Sequence, residues 1–250
     1  MTIIISALTP GGIVMAGEGR CIRVEASEFT DGYNADKKFN FEPVTDNAEK
    51  IHLIADRFGL AYSGPDFNEK GWCLQNDINE FDRIVRLNLR HNLSFNIREA
   101  AGIFSGLVQK VLPPDMDFGF FWAGYSPRTG KPFQVHYRKG QDVTNTERVP
   151  AGWRTDVPEY PEGCFEHGMS MLGKTEIIQE FLQGKVIRWD RMPLKDAIEC
   201  VEWLIVTGVK SLKFFEDQQQ LSGGDVDILV ITPAWAGFVK HKTLSLFGER

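Results

Sequence analysis

The chain has 250 residues, of which 42% are hydrophobic and 25% charged, and its formal net charge at pH 7 is −6. These values are typical of a globular protein with a large core. An acidic chain without a basic block is a poor candidate for binding nucleic acid. No apolar run reaches the length needed to cross a membrane. Neither nucleic acid nor a membrane is therefore expected as a partner.

The cysteines and the first residues indicate a compartment. The four cysteines are far apart and form no Cys-x-x-Cys pair, which favours reduced thiols over a disulfide framework. The first residues are apolar but lack a basic n-region, and Pro10-Gly11-Gly12 interrupts them early, so no secretory signal is predicted. A cytoplasmic location is therefore expected.

The first third of the chain is predicted to be mostly strands. Apolar runs predict strands at residues 3–8, 13–16, 51–54 and 60–63. Residues 21–49 form a long polar stretch with turn markers. Gly64-Pro65-Asp66 is expected to open a helix, in which Leu74, Ile78, Phe81 and Val85 make the apolar stripe.

Further helices and strands alternate in groups. A second helix is predicted from about Ser94 to Pro113, followed by strands at 118–124 and 132–137 and a loop at 138–162. Helices are then predicted at 174–182 and 194–215, and closing strands at 226–232 and 235–239. Helix pairs between groups of strands suggest two packed sheets with helices on both outer faces. No repeat or linker divides residues 1–250, so one domain is expected.

The start of the chain carries the first chemical signal. Met1 precedes a small residue, Thr2, and such a methionine is usually trimmed. Trimming would leave a hydroxyl nucleophile and a free α-amine base on Thr2, at the first position of an apolar strand.

Four further segments resemble the proteasome β-type subunits, a family of N-terminal nucleophile (Ntn) hydrolases. The early hairpin of that family reads Gly, apolar or small residues, Asp, any residue, Arg, and residues 12–20 read GIVMAGEGR. Residues 49–52 (EKIH), 60–64 (LAYSG) and 222–228 (SGGDVDI) resemble its next strand, the glycine before its first helix and its late Ser-Gly-Gly turn. Residues 168–174 (GMSMLGK) are similar to a segment of the bacterial proteasome-related Anbu family.

The resemblance implies a fold and an activity. The implied fold is α+β, a four-layer αββα sandwich of two antiparallel sheets flanked by helix pairs. The implied activity is a threonine peptidase that hydrolyses peptides or polypeptides without cofactor or metal. Homo-oligomeric rings or stacked assemblies are also implied, and whether an ATP-dependent unfoldase feeds the chamber is left open.

Individual residues take roles through the same resemblance. Thr2 is the nucleophile, with its own amine as base. Lys50 lowers the pKa of that amine by like-charge repulsion, and Glu18 is the carboxylate partner expected for this buried lysine. The Gly64 N–H is expected to stabilise the oxyanion, because no Cβ obstructs its approach. Ser222 orients the amine.

The supporting positions match the family less well. Arg20 is expected to hold the hairpin near the site. The family has Asp where this chain has Glu18, and an acidic residue where this chain has Gln219. Ser170 is the nearest candidate for a further serine of the family.

Two alternatives stay open. One is an Ntn amidohydrolase that acts on a small amide, and the other is a non-catalytic scaffold subunit of the same fold. Other chemistries lack a signal: the five histidines are isolated, without metal-ligand spacing. No phosphate-binding loop or Gly-x-Ser-x-Gly elbow occurs.

Overall fold

A computed structural model describes residues 2–28, 37–66, 72–91, 97–112, 118–138, 154–156, 167–215 and 222–242. Its strands are β1 Ile3–Thr9, β2 Gly12–Glu18, β3 Cys21–Glu28, β4 Lys37–Thr45, β5 Ile51–Ile54, β6 Phe58–Ser63, β7 Gly119–Tyr125, β8 Pro132–Arg138, β9 Arg154–Asp156, β10 Gly168–Gly173, β11 Val226–Ile231 and β12 Ala236–Lys240. Its helices are α1 Leu74–Arg90, α2 Ile97–Gln109, α3 Glu176–Leu182 and α4 Leu194–Phe215, with a short 3-10 turn at Trp189–Arg191. The protein is thus a mixed α+β structure.

Two five-stranded antiparallel sheets form the centre. The first has the order β10-β1-β2-β11-β12 and the second the order β5-β6-β7-β8-β9. Every residue of β2 and β11 is buried, which explains why both are apolar on both faces, apart from Glu18 at the end of β2 and Asp227 in β11. Eight of these strands were predicted within a few residues, and β9 and β10 were not.

Two segments differ from the sequence prediction. The polar stretch after Arg20 forms a two-stranded antiparallel ribbon, β3 and β4, in which Cys21 pairs with Thr45. The predicted loop at 138–162 contains the short edge strand β9, and the rest of it, from 139, lies outside the described residues.

The predicted helices are present, with one wrong start. α1 begins at Leu74, not at residues 64–66. The stripe of Leu74, Ile78, Phe81 and Val85 is buried as predicted. The predicted start and end of the second helix, Ser94 and Pro113, lie outside the described residues.

Three apolar clusters show how the layers are stacked. One joins α1 and α2 to β5–β8, another joins α3 and α4 to β1, β2 and β11, and the third lies between the two sheets. The middle cluster contains Ile4 and Met15 from the first sheet and Ile51 and Phe121 from the second. The sheets therefore pack face to face, each with a helix pair on its other face. None of the described helices is both long and apolar enough to cross a bilayer.

Candidate active site

Thr2 lies just before β1 and is fixed by the strand beside it. Its side chain is buried, and its backbone oxygen accepts a hydrogen bond from the Lys174 N–H at 2.9 Å. Gly173 pairs with Ile3 and has φ +84°, and a Cβ at Gly173 would overlap the Thr2 carbonyl oxygen. Only glycine fits this position, because it combines a left-handed backbone with a close approach.

Glu18, at the end of β2, connects three segments through its buried carboxylate. Oε1 accepts a hydrogen bond from the Ile3 N–H at 3.2 Å. Oε2 accepts one from the Arg20 N–H and one from the Gly223 N–H, both at 2.8 Å. One side chain thus holds the residue after Thr2, the end of the hairpin and the Ser-Gly-Gly turn together.

The same surroundings change the acidity of Glu18. Burial raises its pKa from 4.5 to about 7, although the N–H groups of Gly223 and Arg20 and the charge of Lys50 act in the opposite direction. Burial dominates because the side chain is fully enclosed. The carboxyl group therefore changes its charge near neutral pH.

The buried Lys50 ammonium is paired with Asp66. Its Nζ lies 2.6 and 2.7 Å from the two Asp66 oxygens. The Tyr62 hydroxyl lies 2.6 Å from Asp66 Oδ1, and the Lys50 Nζ lies 4.8 Å from the centre of the Tyr62 ring. Burial acts to raise the pKa of Asp66, but Lys50 and Tyr62 lower it below its usual value. The predicted pairing of Lys50 with Glu18 is wrong. Lys50 forms its ion pair with Asp66, and the Glu18 oxygens accept hydrogen bonds from backbone N–H groups, so Lys50 and Glu18 interact electrostatically without a direct contact.

Arg20 joins the hairpin to two other segments. Its Nε and Nη2 donate to the two carboxylate oxygens of Asp46 at 2.5 and 2.8 Å, a bidentate pair. Its Nη1 donates to the Ser222 backbone oxygen at 3.4 Å. A Cβ on Gly223 would lie 2.5 Å from the Arg20 Cζ, so the turn and the guanidinium are in close contact. Arg20 therefore contacts both Asp46 and the late Ser-Gly-Gly turn, whereas the sequence predicted only that it holds the hairpin near the site.

The side chain of Ser222 is buried next to this network. Only 1% of the residue is exposed, and its Oγ has no hydrogen-bond partner among the residues that the structure describes. A buried hydroxyl without a partner is costly in free energy, so such a group usually binds an ordered water or a ligand, or has a chemical role.

Gly64 follows the last register pair of β6, in which Ser63 is opposite Gly119. Its φ is +148°, a conformation that L side chains rarely adopt. The Ser63 Oγ lies 3.1 Å from the point where a Cβ on Gly173 would be. Because Gly173 also contacts Thr2, the end of β6 lies at the same edge of the sandwich as Thr2.

Ser170, one of the supporting residues, does not join the group. Ser170 is opposite Ser6 in the register of β10 and β1. Ser6 is four positions along β1 from Thr2, roughly 13 Å at the rise of a strand. Gln219 lies outside the described residues.

Sequence reasoning missed a second buried ion pair. The Asp227 Oδ1 accepts a hydrogen bond from the Lys242 N–H at 2.8 Å, and the Lys242 Nζ lies 3.0 Å from Asp227 Oδ2, an ion contact without hydrogen-bond geometry. The same Nζ donates to the Ala48 oxygen at 2.7 Å. The pair braces the segment that leads into Lys50. Its partners are 15 positions apart, and no local motif marks either of them.

Cys21 lies close to Asp66. Burial, followed by the charge of Asp66 and a hydrogen bond to it, raises the pKa of the Cys21 thiol to about 12, so the thiol stays protonated at neutral pH. Over the described ranges, no three His, Cys, Asp or Glu side chains are grouped so that they could hold a metal ion.

Comparisons with known proteins identify no family. No protein-family model matches the sequence, and no curated protein matches it either. The geometry of the site therefore carries the functional interpretation.

Proposed function

We propose that the protein is a proteasome-like N-terminal threonine peptidase with the Ntn hydrolase fold, active once processing makes Thr2 the first residue. Two face-to-face antiparallel sheets with a helix pair on each outer face agree with a four-layer αββα sandwich. The position of Thr2 at one edge of this sandwich agrees with the resemblance seen in the sequence.

One observation carries the proposal. The Glu18 carboxylate binds the N–H of Ile3 and the N–H of Gly223 at the same time. The residue after Thr2 and the residue after Ser222 are therefore held by a single side chain. A nucleophile with its own amine needs such fixed neighbours, because catalysis depends on the positioning of the reacting atoms.

The mechanism proceeds in two steps. The Thr2 Oγ attacks the peptide carbonyl carbon while the Thr2 amine takes the hydroxyl proton. The Gly64 N–H stabilises the resulting oxyanion. The intermediate expels the amine half of the substrate, which takes the proton from the Thr2 ammonium. Water, deprotonated by the same amine, then hydrolyses the acyl ester and restores Thr2.

Lys50 acts on the Thr2 amine through its charge. An α-amine has a pKa of about 7.7–8.0 in model peptides, and a nearby ammonium lowers it by like-charge repulsion. Asp66 holds that ammonium in the interior. The unpartnered Ser222 Oγ is the group available to orient the amine.

The proposal extends to partners. The substrate is a peptide or polypeptide in the cytoplasm, and the resemblance implies homo-oligomeric rings or stacks that enclose it.

A second candidate is a non-catalytic scaffold subunit. Lys50 forms an ion pair with Asp66, and Glu18 accepts hydrogen bonds from backbone N–H groups. Both contacts would also be expected in a network that only stabilises the fold, so they favour this candidate.

Peptide turnover measured together with intact mass separates the two candidates. Wild-type protein whose mass lacks Met1 is expected to hydrolyse a mixed peptide library, and Thr2→Ala is expected to abolish turnover. Thr9→Val, at the other end of β1, is the matched control and should retain it. Trimmed wild-type protein without turnover on peptides would support the scaffold, and turnover confined to small amides would support the amidohydrolase.

A further inference from the structure

The outer surface of the helix pair α3 and α4 carries exposed aromatic side chains. Phe181 of α3 and Trp203 of α4 are 40% and 49% exposed, and their rings meet edge to face with centres 5.2 Å apart. Phe214, near the end of α4, is 82% exposed. Single exposed apolar residues are normal, but neighbouring exposed aromatic rings mark a surface on which another molecule binds.

The other helix layer of the sandwich has a different outer surface. α1 and α2 pack on the second sheet, and Leu87 is their one exposed large hydrophobic side chain among the described residues. Ion pairs lie along the outer part of α1 instead, with Arg83 on Glu80 and Arg86 on Asp82. The α1–α2 surface is therefore suited to water, and the α3–α4 surface to a binding partner.

Trp203 lies midway between two charges of opposite sign on α4. Asp196 precedes it by seven positions and Lys210 follows it by seven, and both are exposed. Because seven residues make almost two helical turns, the three side chains lie within about 20° of one line along the helix and span about 21 Å. The exposed stripe of α4 thus has a negative end, an aromatic centre and a positive end.

Neither of the two end charges is neutralised within the chain. Asp196 and Lys210 form no ion pair with any side chain in the part of the chain that the structure describes. The other charged side chains described on the helix beyond its first two residues are paired within α4 or with β12, as Lys195–Glu199 and Glu202–Lys240. The unpaired charges on α4 are therefore the two that lie at equal distances from Trp203.

This arrangement complements itself about a two-fold axis at Trp203. When a second α4 lies antiparallel on the first, Asp196 of each copy is opposite Lys210 of the other copy, and the two Trp203 rings meet at the axis. A two-fold interface requires this property, because the same surface is used on both copies.

The surface is also large enough. α4 has 22 residues and is therefore about 33 Å long. With α3 beside it the face is about 20 Å wide, since packed helix axes are about 10 Å apart. Two copies would then bury on the order of 1,300 Å² in total, which lies within the range of specific protein interfaces.

We propose that two copies of the chain associate through their α3–α4 faces, with α4 antiparallel to α4. Phe181 and Trp203 form the apolar centre, and reciprocal Asp196–Lys210 ion pairs lie at the two ends. The proposal gives a surface to the homo-oligomer of the proposed function and rests on that part of it alone, because Thr2 takes no part in the contact.

Sedimentation velocity tests the apolar centre. Trp203→Glu places a charge at the middle of the interface and should halve the mass of the assembly. Because Trp203 is about half exposed in the single chain, the substitution spares the core. Leu87→Glu, at an exposed apolar position on α1, is the matched control and should keep the wild-type mass.

Exchange of the two charges tests the two-fold arrangement. Asp196→Lys or Lys210→Asp alone places like charges opposite each other and should raise the dissociation constant by at least about tenfold. An equimolar mixture of the two single variants should associate again, because both contacts of a mixed pair then join opposite charges. The double variant should associate like the wild type for the same reason.

Three results would overturn the proposal. A monomeric wild type would mean that the face binds another molecule or none. Trp203→Glu with the wild-type mass would exclude the aromatic centre. A mixture of the single charge variants that stays dissociated, although each variant has the circular dichroism of the wild type, would exclude the two-fold pairing. Thr2→Ala should keep the wild-type mass, so a failure here is distinguishable from a failure of the peptidase proposal.

Discussion

The Glu18 Oε2 accepts a hydrogen bond at 2.8 Å from the N–H of Gly223, a residue 205 positions further along the chain. The same carboxyl group accepts one from the N–H of Ile3 at 3.2 Å. The start of β1 and the turn before β11 therefore depend on one buried acid, whose protonation state affects both.

The first prediction concerns the pH dependence caused by Glu18. Its pKa rises from 4.5 to about 7 on folding. Between these values the folded protein binds a proton that the unfolded chain lacks, so this group makes stability fall as pH rises through the window. Glu18→Gln should remove that slope, which is at most about 1.4 kcal/mol per pH unit. Urea unfolding of both proteins across the window measures it.

His52 is predicted to act in the opposite direction. Its pKa falls from 6.5 to about 4 on folding. Between these values the unfolded chain binds more protons, so this group makes stability rise with pH and its contribution is lost on acidification. The two slopes oppose each other where the windows overlap. Glu18→Gln should therefore expose a rising stability there, and a curve that still falls would contradict both assignments.

The buried ion pair gives a prediction about stability. Asp66→Asn should destabilise the protein by about 3–5 kcal/mol, because it leaves the Lys50 ammonium buried without a counter-charge. Adding Lys50→Met should restore part of the loss. Denaturant unfolding of the single and double variants measures the coupling. Asp190→Asn, which removes an exposed pair with Arg188, should cause no measurable change, and additive losses at Lys50 and Asp66 would contradict the pairing.

Gly173→Ala is predicted to displace the start of β1. The new Cβ would overlap the Thr2 carbonyl oxygen at a residue with φ +84°. Gly184→Ala is the matched control, because Gly184 has φ +73° but open space around it. The control should lose about 1–2 kcal/mol from backbone strain alone. Thermal unfolding should show a clearly larger loss for Gly173→Ala, and equal losses would mean that the contact with Thr2 is unimportant.

Ser222→Ala separates stability from activity. Since the Oγ has no partner among the described residues, its removal should leave the free energy of unfolding unchanged or slightly higher. If the hydroxyl orients the Thr2 amine, peptide turnover should fall by at least about tenfold. Ser105→Ala, a buried serine on α2 whose Oγ accepts a hydrogen bond from Gln109, should behave the opposite way, with lower stability and normal turnover.

Sequence reasoning predicted much of the fold because the apolar patterns are strong. The buried runs of β1 and β11 and the stripe of α1 mark their elements directly. β3 and β4 were missed although apolar and polar residues alternate along both, because the stretch was judged by its overall polarity and its turn residues. The start of α1 was misplaced because Asp66 looks like a helix-opening residue, whereas its carboxylate binds Lys50.

The site was less predictable because its contacts depend on register and side-chain direction. Thr2, Glu18 and Ser222 could be selected from short motifs. The hydrogen-bond partners of Glu18 could not be predicted from motifs. Its oxygens accept from backbone N–H groups, which almost every residue carries, so no residue type marks the partners. The roles of Asp66 and Asp227 depend equally on strands that meet only in the folded chain.

The most direct test of the central claim is intact-mass analysis after treatment with a threonine-directed peptide epoxyketone. The proposal predicts one adduct on protein that has lost Met1, located at Thr2 by peptide mapping and absent in Thr2→Ala. Trimmed protein that forms no adduct, or an adduct that persists in Thr2→Ala, would contradict it.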